Sequence, residues 1–223
     1  MSPVVPLVEA PGRRRGLGDG VLLPPPGGDG GRGPDPSPPG ALLDNAVLAT
    51  MFLIAGEIMF FAALVSAFWV LRLAAPAWPP PLQPRLPVGV TGLNTIVLLA
   101  SSAAMGAALR ALGRGDRRAT VQRLGAAAGL GILFLVVQGS EWARLVHFGL
   151  TMSSSSYGTA FYTLIGTHAA HVLGALVWLA VTLLAVARGR LTAGRPARLR
   201  ACALFWHFVV ALWPILYVSV YLL

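Results

Sequence analysis

The chain has 223 residues, of which 56% are hydrophobic and only 11% charged, where an ordinary soluble domain carries about 25% charged residues. So short a chain has too little polar surface to keep that much apolar side chain from water, which excludes a typical soluble enzyme and points to an integral membrane protein. The formal net charge is +9, and all 17 basic residues are arginine.

These arginines fall in short runs between apolar stretches. Membrane topology therefore explains the charge better than nucleic-acid binding, which needs a basic face with stacking or groove-reading elements. The single cysteine, Cys202, excludes an internal disulfide and a cysteine-built metal cluster.

Residues 1–44 hold 10 of the 18 prolines and 10 of the 26 glycines. Such a stretch cannot bury enough apolar area to offset chain entropy, so it is expected to be a disordered cytoplasmic tail. No apolar core follows Arg13-Arg14-Arg15, so it does not resemble a signal peptide. The rest of the chain, 45–223, is expected to form an all-α integral membrane bundle. Five apolar segments, 46–71, 91–112, 124–142, 157–187 and 201–223, each meet the ~20 residues a membrane span needs. Prolines break the chain between the first two, and Ser153–Ser156 offer hydroxyl caps before the fourth.

Arginine placement predicts the orientation. Arg13, Arg14, Arg15 and Arg32 precede the first span. Arg110, Arg114, Arg117, Arg118 and Arg123 join spans two and three, and Arg188, Arg190, Arg195, Arg198 and Arg200 join spans four and five. Only Arg72, Arg85 and Arg144 lie on the other side. The excess of positive charge sets a cytoplasmic N-terminus and an external C-terminus.

Ionisable groups inside hydrocarbon need a partner or a purpose. Glu57 lies eleven residues after Ala46, about 16 Å into the membrane at 1.5 Å per residue. No basic residue lies within two turns of it on its own helix. Two readings stand: a proton-linked or partner-contacting carboxyl, or a neutral acid bonding helix to helix. Glu141 can share a helix face with Gln138 and Arg144, the spacing of a boundary ion pair.

His168 and His171 share one side of the fourth helix, about 60° apart at 100° per residue. Gly166, Ala170 and Gly174 form a small-residue ridge roughly 130° round from them, suited to close packing between helices or against a partner. Gly125 and Gly129 make a second such pair in the third helix. His147 and His207 stand alone. Hydrogen-bonded structural histidines are the expectation, since no further ligands for a metal site are visible. Trp206, Trp213 and Tyr217 form one stripe on the last helix, and Pro214 should kink it by leaving the carbonyl of Val210 free. No catalytic centre is legible.

Taken as a set, these patches resemble the subunit III family of haem-copper oxidases. Gly56-Glu57-Ile58-Met59-Phe60-Phe61, continuing to Phe68-Trp69-Val70-Leu71-Arg72, resembles that family's glutamate-containing helix. Leu93-Asn94-Thr95 with Leu98-Leu99-Ala100-Ser101 resembles the next helix, and Gln138-Gly139-Ser140-Glu141-Trp142 its Gln-x-x-Glu-aromatic patch. Tyr157-Gly158-Thr159-Ala160-Phe161-Tyr162 leads into Gly166-Thr167-His168-Ala169-Ala170-His171-Val172, similar to the family's Gly-x-His-x-x-His-Val helix. Trp206-His207-Phe208-Val209 resembles the last helix.

The resemblance implies the five-helix bacterial form, lacking the two N-terminal helices of a longer version, in a bacterial plasma membrane. It implies a non-redox subunit without haem or copper of its own, those being held by partner subunits. It would pack directly on oxidase subunit I alongside subunit II, hold phospholipid, and support proton uptake, oxygen access and durability of a cytochrome c oxidase. Glu57 matches the carboxyl sensitive to carbodiimide in the family. Glu141, His168, His171 and His207 match its intramembrane polar positions.

Val210 stands where the family usually has an aspartate, and Ala169 and Ala170 replace a commoner small-large pair. The corresponding subunit of a quinol oxidase, or an accessory subunit of a nitric oxide reductase, shares the helices and differs in partner. An independent membrane carrier predicts an inverted repeat or discontinuous helices, and the two halves show no repeat.

Overall fold

A computed structural model of the chain describes residues 44–81, 84, 86–191 and 196–223. The predicted tail up to residue 43, with Arg13, Arg14, Arg15 and Arg32, lies outside the described residues, as do Arg85 and Arg195. Five helices follow one another: α1 (Asn45–Ala74), α2 (Val88–Gly113), α3 (Arg117–His147), α4 (Ser156–Ala187) and α5 (Ala197–Tyr217). A π-helical turn, Val218–Leu222, continues α5. There is no strand among the described residues, and all five helices are long and apolar enough to cross a membrane.

The helices overrun their apolar segments for a physical reason. Hydropathy marks only the length lying in hydrocarbon, whereas a helix continues into water until its backbone is capped. Thus α3 starts at Arg117, seven residues before its apolar run, because Asp116 Oδ1 accepts a hydrogen bond from Ala119 N at 2.9 Å. Ser155 caps α4 in the same way, accepting from Gly158 N at 3.1 Å.

At the other end of α2 the chain closes in a Schellman turn. Gly115 N donates to Leu112 O at 2.9 Å and Asp116 N to Ala111 O at 3.1 Å, with Gly115 at a φ of 74° that favours glycine. The same pair of bonds ends α3 at Gly149 and α4 at Gly189. Pro214 does not break α5, which stays helical to Tyr217 and widens into the π turn just beyond it.

The bundle is organised around α5, which packs against α1, α2 and α4, while α3 packs against α2 and α4, and α1 against α4. Going round α5, the neighbours run α2, α3, α4, α1, and the circuit is left open between α1 and α2. Bulky apolar side chains point outward, including Met59 at 75% and Leu73 at 79% exposure. That is costly in water and natural in lipid. In a bilayer, burying apolar surface drives helices together weakly, so close packing and interhelical hydrogen bonds must hold them.

Both devices are present between α5 and α2. The Trp213 indole N–H donates to Thr95 Oγ1 at 2.8 Å and that of Trp206 to Ser101 Oγ at 3.3 Å. Each hydroxyl donates in turn to its own helix, Thr95 to Thr91 O at 2.8 Å and Ser101 to Leu98 O at 2.6 Å. Asn94 on α2 donates to the Phe134 carbonyl of α3 at 3.0 Å. The predicted stripe of Trp206, Trp213 and Tyr217 is therefore a packing and bonding seam: both tryptophans are buried, and Tyr217 donates to the Val88 carbonyl at 3.0 Å.

Candidate functional site

The polar residues singled out from sequence separate into four places. Glu57 and His171 come together across α1 and α4, with Glu57 Oε2 3.0 Å from His171 Nε2. Glu57 stands twelve residues into α1, about 18 Å from its start and close to mid-membrane depth. The approach is within ion-pair distance but is not aligned as a hydrogen bond, and Oε2 has no other partner among the described residues.

His171 Nδ1 lies 2.8 Å from the Thr167 carbonyl oxygen. A carbonyl only accepts, so Nδ1 carries a hydrogen and Nε2 is the ring's variable atom. That nitrogen is the one that faces Glu57 Oε2, so the contact sets a carboxyl group against an imidazole. The dyad opens on an outward groove of about 510 Å³, lined otherwise by Phe52, Leu53, Gly56 and Phe60. Phe60 and Phe61 flank the ring at centroid distances of 6.3 and 5.1 Å.

His168, one turn away, is buried and stacked on Trp213, with ring centroids 5.1 Å apart at 26°. Neither of its nitrogens has a hydrogen-bond partner among the described residues, so it does not join the dyad through a direct bond. Glu141 sits apart and accepts from Arg144 Nη1 at 2.9 Å; the arginine is 70% exposed. A pair so exposed at one end contributes little. Gln138, expected on that same face, turns instead to the last turn of the chain and donates to the Tyr221 hydroxyl at 3.1 Å. His207 on α5 meets Ser102 on α2, Nδ1 to Oγ at 2.5 Å.

The small-residue expectation needs correction within the chain. At Gly125, Gly129, Gly166 and Gly174 an added Cβ would meet nothing within 4 Å, and Ala170 is exposed, so these ridges face away from the chain's own helices. Periodicity showed that the ridges exist but not which way each helix is rotated. Close approaches between helices lie instead at Gly131, where a Cβ would stand 2.6 Å from Cη2 of the buried Trp206 and 3.1 Å from Leu176 Cδ2, and at Gly92, where it would stand 2.9 Å from the Tyr217 hydroxyl.

Sequence reasoning also missed Ser102, because a lone serine in a membrane helix gives no signal of its partner. Among the described residues no three His, Cys, Asp or Glu side chains converge as metal ligands would.

Fold and site together define a multi-pass helical membrane protein whose interior carries isolated polar pairs. Residues 43–223, which include all five described helices, match the family model of cytochrome c oxidase subunit III. The cytochrome c oxidase subunit 3 of Sus scrofa is 34% identical over 177 residues, 77% of this chain and 67% of the relative. That of Synechocystis sp. is 33% identical over 174 residues, 78% of this chain and 73% of the relative. That of Allomyces macrogynus is 34% identical over 180 residues, 78% and 65% of the two chains. This chain belongs to the cytochrome c oxidase subunit III family.

Proposed function

We infer that this chain is the non-redox subunit III of a bacterial haem-copper terminal oxidase fed by cytochrome c. The observation that carries the reading is the family match across the whole helical region, 43–223. The cyanobacterial relative supports the bacterial setting. The subunit packs on subunit I beside subunit II, and haem and copper reside in those partners. Its N-terminus is cytoplasmic and its C-terminus external, following the arginine distribution.

Glu57 and His171 form a carboxyl–imidazole contact at mid-depth beside the partner, while Glu141 and His207 make local polar contacts and His168 stacks on Trp213. The outward small-residue ridges at Gly125 and Gly129 and at Gly166, Ala170 and Gly174 are available to neighbouring chains. A phospholipid suits the lateral groove of about 480 Å³ between α1, α4 and α5, where Ala49, Leu53 and Val181 supply an apolar wall and Arg198 a cationic end.

Stripping this subunit from the purified oxidase tests its role. The visible spectrum should be unchanged, while steady-state proton uptake or durability in turnover falls. Loss of haem absorbance in proportion to loss of the chain would contradict the non-redox assignment.

A further inference from the structure

We propose that the lateral opening between α1 and α2 seats a transmembrane helix of a partner subunit, one that presents a hydrogen-bonding side chain at mid-membrane depth to His207. This rests on the oxidase-subunit reading above and specifies a face of the bundle through which the subunit is held.

The opening follows from the packing. α1 lies on α4 and α5, and α2 on α3 and α5, so α5 alone floors the space between α1 and α2. At 100° per residue, Leu204, His207, Phe208, Ala211 and Ile215 fall within an arc of about 100° on α5. None of them is buried, with Ile215 at 57% exposure. The rest of α5 is mostly buried, as befits a central helix.

Within this arc His207 is the polar member. Its Nδ1 is occupied by Ser102 Oγ at 2.5 Å, and Nε2 has no partner among the described residues. His207 is ten residues from the start of α5 and Ser102 eleven from the Gly113 end of α2, each about 15 Å along its helix and so well inside hydrocarbon.

An open ring nitrogen at that depth is costly, because lipid tails neither donate nor accept. The contrast with the other dyad identifies the occupant. Glu57 has the His171 ring at 3.0 Å inside the chain, so its carboxyl group is met internally. The outer edge of His207 is not met. An acyl chain would fill the apolar arc and leave Nε2 open; a helix carrying a Ser, Thr, Asn, Gln or acidic side chain at the right height satisfies both.

The test uses the assembled complex. A benzophenone amino acid is placed at Ala211 in the opening and, as a control, at Ile132 on the outward side of α3, which is 54% exposed. Irradiation should give a protein adduct to an oxidase subunit from position 211. Alongside, His207→Gln, which keeps a hydrogen bond, should retain the subunit through detergent purification, and His207→Leu should speed its loss by about threefold to tenfold, the worth of one interhelical hydrogen bond.

Lipid-mass adducts alone at position 211, with the chain still copurifying with the oxidase, would overturn the docking face and leave the family role standing. Equal retention of the Gln and Leu variants would overturn the role given to His207. A chain that purifies free of oxidase subunits would instead overturn the reading beneath both.

Discussion

Glu57 and His171 lie 3.0 Å apart on different helices, and each leaves the other with an unmet group if removed alone. Glu57→Gln keeps a side chain that can donate to Nε2, so the subunit should assemble as before. His171→Leu leaves the carboxyl with neither base nor donor and should destabilise the chain by about 1–3 kcal/mol. Retention of each variant in the purified complex, compared side by side, checks the order. A Gln variant lost as readily as the Leu variant would contradict a polar contact between the two side chains.

The depth of Glu57 and the helix side of His171 follow from residue counting alone. Their meeting does not, because it depends on how α1 and α4 are rotated against each other, and a single helix carries no record of its neighbour's rotation. The meeting of Ser102 with His207 escaped for the same reason, as did the turn of Gln138 towards Tyr221.

Among the elements, α5 packs on α1, α2 and α4 and meets α3 through the side chains of Trp206 and Trp213. Gly131 faces the rigid indole of Trp206, so Gly131→Ala should cost about 1–3 kcal/mol by overpacking. Gly129→Ala, two residues away and exposed, should leave stability in detergent unchanged. Thermal unfolding followed by circular dichroism separates the two.

Thr95→Val removes the acceptor of the Trp213 indole and should cost about 0.6–1.7 kcal/mol on the same measurement. Equal effects at Gly129 and Gly131 would mean that α3 is rotated from the placement described. Helix number and order were legible from apolar length, since hydrocarbon thickness is a fixed ruler. The start of α4 was legible too, Ser155 being one of the expected caps, but the start of α3 and the ends of α2 and α3 were not, because capping by Asp116 and the Schellman turns at Gly115 and Gly149 act in water, beyond the apolar run.

For the whole molecule, the arginine asymmetry makes a topological prediction. The native Cys202 is buried, so introduced cysteines report cleanly in intact cells. Ser153→Cys should react with an impermeant maleimide from outside, and Arg188→Cys only after the membrane is opened. The reverse pattern would invert the proposed orientation.

The bundle as a whole has an outward apolar surface, polar pairs at mid-depth on two of its faces and an opening over its central helix. Those features describe a subunit fitted to neighbours within a bilayer. The most direct measurement is gentle solubilisation and affinity purification of the tagged chain, followed by its visible spectrum and peptide composition. The account predicts haem absorbance together with oxidase subunits I and II in equal stoichiometry with the tagged chain; a colourless preparation containing this polypeptide alone, from cells respiring oxygen, would contradict it.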